Sequence, residues 1–172
     1  MSGPHQMVRM LTVLAAATDL GVVPVTPLAE AQPAGFPDLN AFTAAPTNID
    51  FSRPDKWANG YAFFRTPDGI SCIIGSLKQC HGPLPGTPAG DYGTCPMVIQ
   101  TYEEASRSEP FRFDKSDGPC LPPSDNLLDV GQKLTFAAYG TTCVVGENRL
   151  TACIDSMHNH GFLLQPSGSW TF

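Results

Sequence analysis

Six cysteines, all downstream of a short apolar N-terminus, constrain this chain more than any other feature. Arg9 precedes the apolar run 10–17, Thr18 and Asp19 break it, and Ala29-Glu30-Ala31 offers a small-x-small peptidase site ahead of Gln32. That layout reads as a signal peptide over 1–31. In the oxidising compartment such a leader implies, an even set of cysteines is expected as disulfides. Cys72, Cys80, Cys95, Cys120, Cys143 and Cys153 are therefore expected as three staples. Residues 32–172 suffice for one domain with its own core and are too few for two.

Composition narrows the partner. The formal charge is −6, and one unit of it leaves with the leader, where Arg9 stands against Asp19 and Glu30. An acidic chain without a Lys/Arg cluster lacks the footprint that phosphate backbones or anionic lipid surfaces demand, so neither nucleic acid nor a membrane surface is the expected partner. No second apolar stretch is long enough to span a bilayer, and no cysteine ends the leader to accept a lipid. The expectation is a released extracellular or cell-envelope protein without membrane anchor or lipidation, meeting an unidentified protein or envelope partner and needing no cofactor.

Seventeen prolines and sixteen glycines punctuate the chain, and the Glu/Lys/Ala-rich text of surface helices is missing. The expected fold is mainly β: a small disulfide-stapled domain of antiparallel hairpins, barrel-like or two-sheet, with little helix beyond the leader. Residues 32–56, carrying Pro33, Pro37, Pro46 and Pro54, show no sustained period and read as an extended arm. Phe36, Leu39, Phe42, Ile49 and Phe51 are too apolar for a solvated linker and should pack on the β domain of residues 57–172.

Within that domain, Gly69-Ile70-Ser71-Cys72-Ile73-Ile74-Gly75 is echoed by Gly140-Thr141-Thr142-Cys143-Val144-Val145-Gly146. Each copy has the β-branched content of a strand and ends in a glycine that can open a turn. In an antiparallel hairpin, paired residue numbers share one sum. Pairing Cys72 with Cys80 centres a turn on Ser76, and pairing Cys143 with Cys153 centres one on Asn148, both in turn-forming text. Opposed residues lie close enough for a disulfide. For Cys95 and Cys120 the same construction sets Tyr102 opposite Phe113 and leaves 105–110 as the connection. Six cysteines allow fifteen pairings, which spacing alone does not separate; the hairpin sums favour the sequential one. Further strands are expected over 61–65, 134–138, 162–165 and 169–172, the last two joined by Pro166-Ser167-Gly168.

Four segments together carry a resemblance: Phe36-Pro37-Asp38-Leu39, Thr66-Pro67-Asp68-Gly69-Ile70-Ser71-Cys72, Cys80-His81-Gly82-Pro83-Leu84-Pro85-Gly86, and the tract from Gly161 through Pro166-Ser167-Gly168-Ser169-Trp170. In these the chain resembles a family of exported, cysteine-rich actinobacterial proteins of the mycobacterial type. The resemblance implies sequential disulfides and an envelope or extracellular location, and it brings no catalytic residue.

Candidate sites are sparse. His158-Asn159-His160 with Asp155, and His81 as a further donor, is the one metal-competent cluster, because alternate residues of an extended strand share a face; two imidazoles and a distant carboxylate fall short of a full shell, so a solvated loop without metal is the expectation. The same histidines, with Lys133 or Arg149 to stabilise charge, give the alternative of a small secreted hydrolase. No Gly-x-Ser-x-Gly, His-Glu-x-x-His or Cys-x-x-Cys motif occurs. Glu103, Glu104 and Glu109 around Arg107 read as a solvated loop, and Trp57, Tyr61, Tyr92 and Trp170 as packing in preference to a glycan platform. The stiff loop with Pro83, Leu84, Pro85 and Pro88 loses little entropy on docking. It makes partner binding the leading function class, with no catalytic residue assigned.

Overall fold

The two echoed heptapeptides become the centres of two sheets. In the computed structural model, which describes residues 32–46, 60–100, 102–104, 107–120 and 122–172, the first sheet is built from β2 (Tyr61–Arg65), β3 (Ser71–Gly75), β4 (Lys78–His81), β5 (Pro96–Gln100) and β8 (Arg112–Lys115), neighbours in that order and all antiparallel. The second runs β1 (Thr43–Ala44), β9 (Gln132–Phe136), β10 (Thr141–Gly146), β11 (Leu150–Asp155), β12 (His160–Leu164) and β13 (Trp170–Thr171). A small ribbon pairs β6 (Tyr102–Glu104) with β7 (Arg107–Ser108). Apart from this ribbon, the described strands form two sheets and no closed barrel. Residues Gln32–Phe172 belong to one compact unit. The expected leader over 1–31, and Ile49, Phe51 and Trp57, lie outside the described residues.

Register follows the cysteines in both echoes. Cys72 stands opposite Cys80 and Cys143 opposite Cys153, each pair bonded at a Cα separation of 4.1 Å. The turns differ. Gly75 takes φ +150°, and a Cβ there would collide with the Gly60 carbonyl oxygen, so only glycine opens the first hairpin. The second closes through Asn148 (φ 57°) and Arg149 (φ 62°), with the Leu150 N–H donating to the Glu147 carbonyl. Positive φ at both central residues is the type I′ geometry whose twist matches the strands.

Alternation then decides what each face meets. Cys72, Cys80 and Val98 on one sheet and Cys143, Cys153, Phe162 and Leu164 on the other share one core with Phe64, Ile70 and Leu128. Phe111 and Phe162 meet edge-on inside it at 5.2 Å. The opposite face of the second sheet, Val144, Ala152, Ile154 and Leu163, is covered by Phe36, Leu39 and Phe42 of the arm and by Trp170 and Phe172. The arm is thus less extended than its prolines suggest. Asp38 Oδ1 accepts the Asn40 N–H at 2.9 Å and caps a 3-10 turn over Leu39–Ala41. Thr43–Ala44 then adds a parallel edge strand to β9, and Lys133 Nζ donates to the Leu39 carbonyl at 2.9 Å.

Two expectations need correction. Cys95 and Cys120 do bond, at a Cα separation of 5.2 Å, but Phe113 faces Val98, not Tyr102. Cys95 lies just before β5, the Ser116 N–H closes onto its carbonyl, and Cys120 returns from the loop after β8. The bridge therefore clips a loop to the sheet and does not staple opposed strands. Its connection from β5 to β8 holds the β6–β7 ribbon, and Ala105 and Ser106 lie outside the described residues. The strand expected over 134–138 ends at Phe136, because Ala137–Tyr139 forms a 3-10 turn closed by Gly140 at φ 59°. Each bridge removes roughly 2.5–3.5 kcal/mol of unfolded-state freedom in the chain-entropy picture, a large share of an ordinary domain's stability.

Candidate functional site

Among the described residues, the outer face of the first sheet is covered differently from the arm-covered face of the second. On the former, register sets Arg65, Ser71, His81, Met97 and Asp114 in one row across the strands. A peripheral segment crosses part of it: the Ser124 hydroxyl and Asn126 Nδ2 donate to the Phe63 carbonyl, and the N–H of Arg65 donates to the Asn126 carbonyl at 2.8 Å. Between this segment and the Cys80–Gly86 tract an open cleft of about 530 Å³ remains, walled by Pro83, Pro96, Pro122 and Pro123, with Ser71 and His81 at its floor. A smaller cavity of about 50 Å³ continues behind His81 beneath Pro122 and Ser124.

His81 is 3% exposed. Burial pushes its imidazole below the ordinary histidine value, and among the described residues no hydrogen bond or ion pair opposes that shift. A neutral ring keeps one donor and one acceptor nitrogen. His81 lines both the cleft and the smaller cavity. One imidazole nitrogen also lies within 4.8 Å of the Sγ atoms of Cys95 and Cys120. This is the one trio of ligand-bearing His, Cys, Asp or Glu residues that meets so closely among the described residues, and its sulfurs are bonded to each other.

The second cluster is elsewhere. Lys78 and Asp155, 1% and 0% exposed, bridge the two sheets with Nζ to Oδ2 at 2.9 Å. His158 Nδ1 lies 2.8 Å from the same oxygen, and the Met157 N–H donates to Oδ1 at 3.0 Å. Burial alone would raise the Asp155 pKa; the hydrogen bonds and charges of Lys78 and His158 outweigh it and hold the carboxyl below its ordinary value. Asp155 is therefore already neutralised by an ammonium, which disfavours a second cation on it.

The strand that a metal grip by His158 and His160 would need is interrupted. Residues 156–159 form a turn, Asn159 sits at φ 55°, and only His160 belongs to a strand. The two rings are not alternate members of one extended face, and with Asp155 they do not reach ligand distance as a trio. His81 does not join them, because it lies on the face of β4 opposite to Lys78 and Cys80.

Other candidates act as clamps or packing. Arg149 Nε lies 3.3 Å from Asp68 Oδ2, and its Nη2 donates to the Pro83 carbonyl, tying the second hairpin to the cleft wall. Of the four loop residues expected to face a partner, Leu84 and Pro85 are buried, so only Pro83 and Pro88 remain exposed. Tyr61 pairs with Phe63, Tyr92 with Phe113, and Trp170 with Phe172, three separate contacts and no shared platform. Glu109 is half-buried; the side chains of Glu103, Glu104 and Arg107 lie outside the described ones.

Of the residues of the cleft, only Pro83 and His81 are site candidates in the sequence; Cys120 reads there as a staple, and Gly69, Ser71 and Gly82 as parts of motifs. The signal for its floor was nevertheless present: the sum that pairs Cys72 with Cys80 also sets Ser71 opposite His81. Neither family models, nor curated proteins, nor solved structures give a match to this chain.

Proposed function

We propose that the protein is an exported binding module of the cell envelope or extracellular medium, and that its partner enters the cleft over Ser71 and His81. Three disulfides belong to an oxidising compartment, among the described residues no helix is long and apolar enough to cross a membrane, and the leader-like text over 1–31 supports export. The observation that carries the binding reading is His81, a buried imidazole without a hydrogen-bond partner among the described residues, at the floor of a proline-walled cleft. Rigid walls lose little freedom on docking, so a modest apolar contact with one hydrogen-bonding group suffices. The test is affinity capture from envelope extract with the wild-type protein, Pro83→Arg and His158→Ala. A component retained by wild type and His158→Ala but lost with Pro83→Arg supports the reading, and equal capture by all three sinks it.

A second reading, a small secreted hydrolase, rests on the Asp155–His158 hydrogen bond. A buried carboxylate orients the ring and leaves Nε2 to act as a base. Among the described residues no hydroxyl or thiol is hydrogen-bonded to His158, so the base would have to activate water. Turnover of generic ester or glycoside substrates that disappears in His158→Ala and survives in Pro83→Arg would favour this reading over the first.

A further inference from the structure

The three disulfides are not equivalent. Cys72, Cys80, Cys143 and Cys153 are at most 2% exposed and lie between the sheets. Cys95 is equally buried, but Cys120 lines the open cleft. Neither end of this third bridge sits inside a strand, since Cys95 precedes β5 and Cys120 follows β8. The β5–β8 ladder stands on its own backbone pairs, and the other two bridges hold the remaining hairpins. Opening Cys95–Cys120 frees a loop and leaves both sheets stapled.

We propose that Cys95–Cys120 is a site of thiol–disulfide exchange, taking a small thiol or the exposed dithiol of a reductase through the cleft, with His81 relaying the proton. Access selects Cys120 Sγ as the sulfur attacked. As the new S–S bond forms there, the old one breaks and its electron pair leaves with Cys95 Sγ. The proton of the incoming thiol passes to the free acceptor nitrogen of His81, and the imidazole returns a proton to the departing Cys95 sulfur. The products are a mixed disulfide on Cys120 and a Cys95 thiol. A second thiol then attacks the external sulfur of the mixed disulfide and releases the oxidised reagent and a Cys120 thiol. Two thiols are oxidised to one disulfide and one protein disulfide is reduced, with every proton accounted for.

Three features support this assignment. One imidazole nitrogen lies within 4.8 Å of both sulfurs. Among the described residues the ring has no competing hydrogen bond. Burial disfavours the imidazolium, which has no acceptor nitrogen, and so favours the form a relay starts from.

The test treats the oxidised protein with reduced glutathione under native conditions, quenches with iodoacetamide at intervals and maps the alkylated peptides. Cys95 and Cys120 should be labelled roughly tenfold or more ahead of the other four, as access and leaving-group assistance dictate. The His81→Gln variant, which keeps a polar side chain but cannot relay a proton, should label the same pair several-fold more slowly while melting normally in its oxidised form. Simultaneous labelling of all six cysteines, or earlier labelling of another pair, overturns the site. Selective labelling at an unchanged rate in His81→Gln overturns the relay. If that variant does not fold, the labelling order in the wild type still decides the site.

Discussion

The echoed hairpins start from the same seven-residue pattern and the same buried cross-strand disulfide, yet their outer faces diverge. In the second sheet, Thr142 stands opposite Ile154 and hydrogen-bonds Thr135 at 3.1 Å, and the arm lays Phe36, Leu39 and Phe42 over the neighbouring apolar positions. In the first sheet the equivalent Ser71 stands opposite His81, and a proline-bearing segment covers the face only in part. The inner faces share one apolar core around the two disulfides and bury Lys78 against Asp155 within it. The outer faces, which meet different covering segments, diverge.

Four experiments break or sharpen this contrast. The largest effect is expected at the contact that joins the sheets. Lys78→Ala leaves the Asp155 carboxylate buried without its ammonium and should destabilise by about 3–5 kcal/mol, whereas Lys78→Met with Asp155→Leu should recover most of that loss. Chemical denaturation of the three proteins checks it. The depressed Asp155 pKa fixes the sign with pH: the carboxylate's contribution is complete above the ordinary carboxylate range and is lost as pH falls through its lowered value. The acid limb of Lys78→Ala should therefore be shallower than that of wild type.

A smaller loss, about 3 kcal/mol, is expected from Phe36→Ala, which removes a side chain 8% exposed and in edge contact with Phe172 at 5.8 Å. If the arm is what closes the second sheet, the variant should also show faster amide exchange at Val144, Ile154 and Leu163. Unchanged exchange there would mean that the face is closed by something else. The smallest effect belongs to His81. Its pKa is lowered by burial, so its contribution to stability is fully present above the ordinary value of 6.5 and is lost as pH falls below it. Wild type should lose stability over that interval relative to His81→Gln, and parallel pH profiles would contradict the buried, neutral ring.

Much of the frame was legible. β-branched text, bounding glycines and cysteine sums located the Cys72–Cys80 and Cys143–Cys153 hairpins, and 61–65 emerged as a strand with the same limits. These are local signals, set by neighbours within about ten residues of each other. What escaped was long-range. The Cys95–Cys120 register failed because a disulfide can clip a loop as readily as a strand pair. Nothing in the text around Lys78 announces a carboxylate 77 positions away, and nothing local tells Leu84 to turn inward while Pro83 stays out. The spacing of His158 and His160 suits a strand face that the turn at Asn159 interrupts.

The most direct measurement of whether the open face is the functional one requires no knowledge of the partner. Amide chemical-shift mapping of the oxidised, isotopically labelled protein against a library of small aromatic and hydroxylated fragments reports every surface at once. Binding at the cleft predicts that the fragments shift Ser71, His81, Gly82 and Thr94 together and that Pro83→Arg abolishes those shifts. Shifts that concentrate on the arm-covered face of the second sheet, or around His158 and His160, would contradict it.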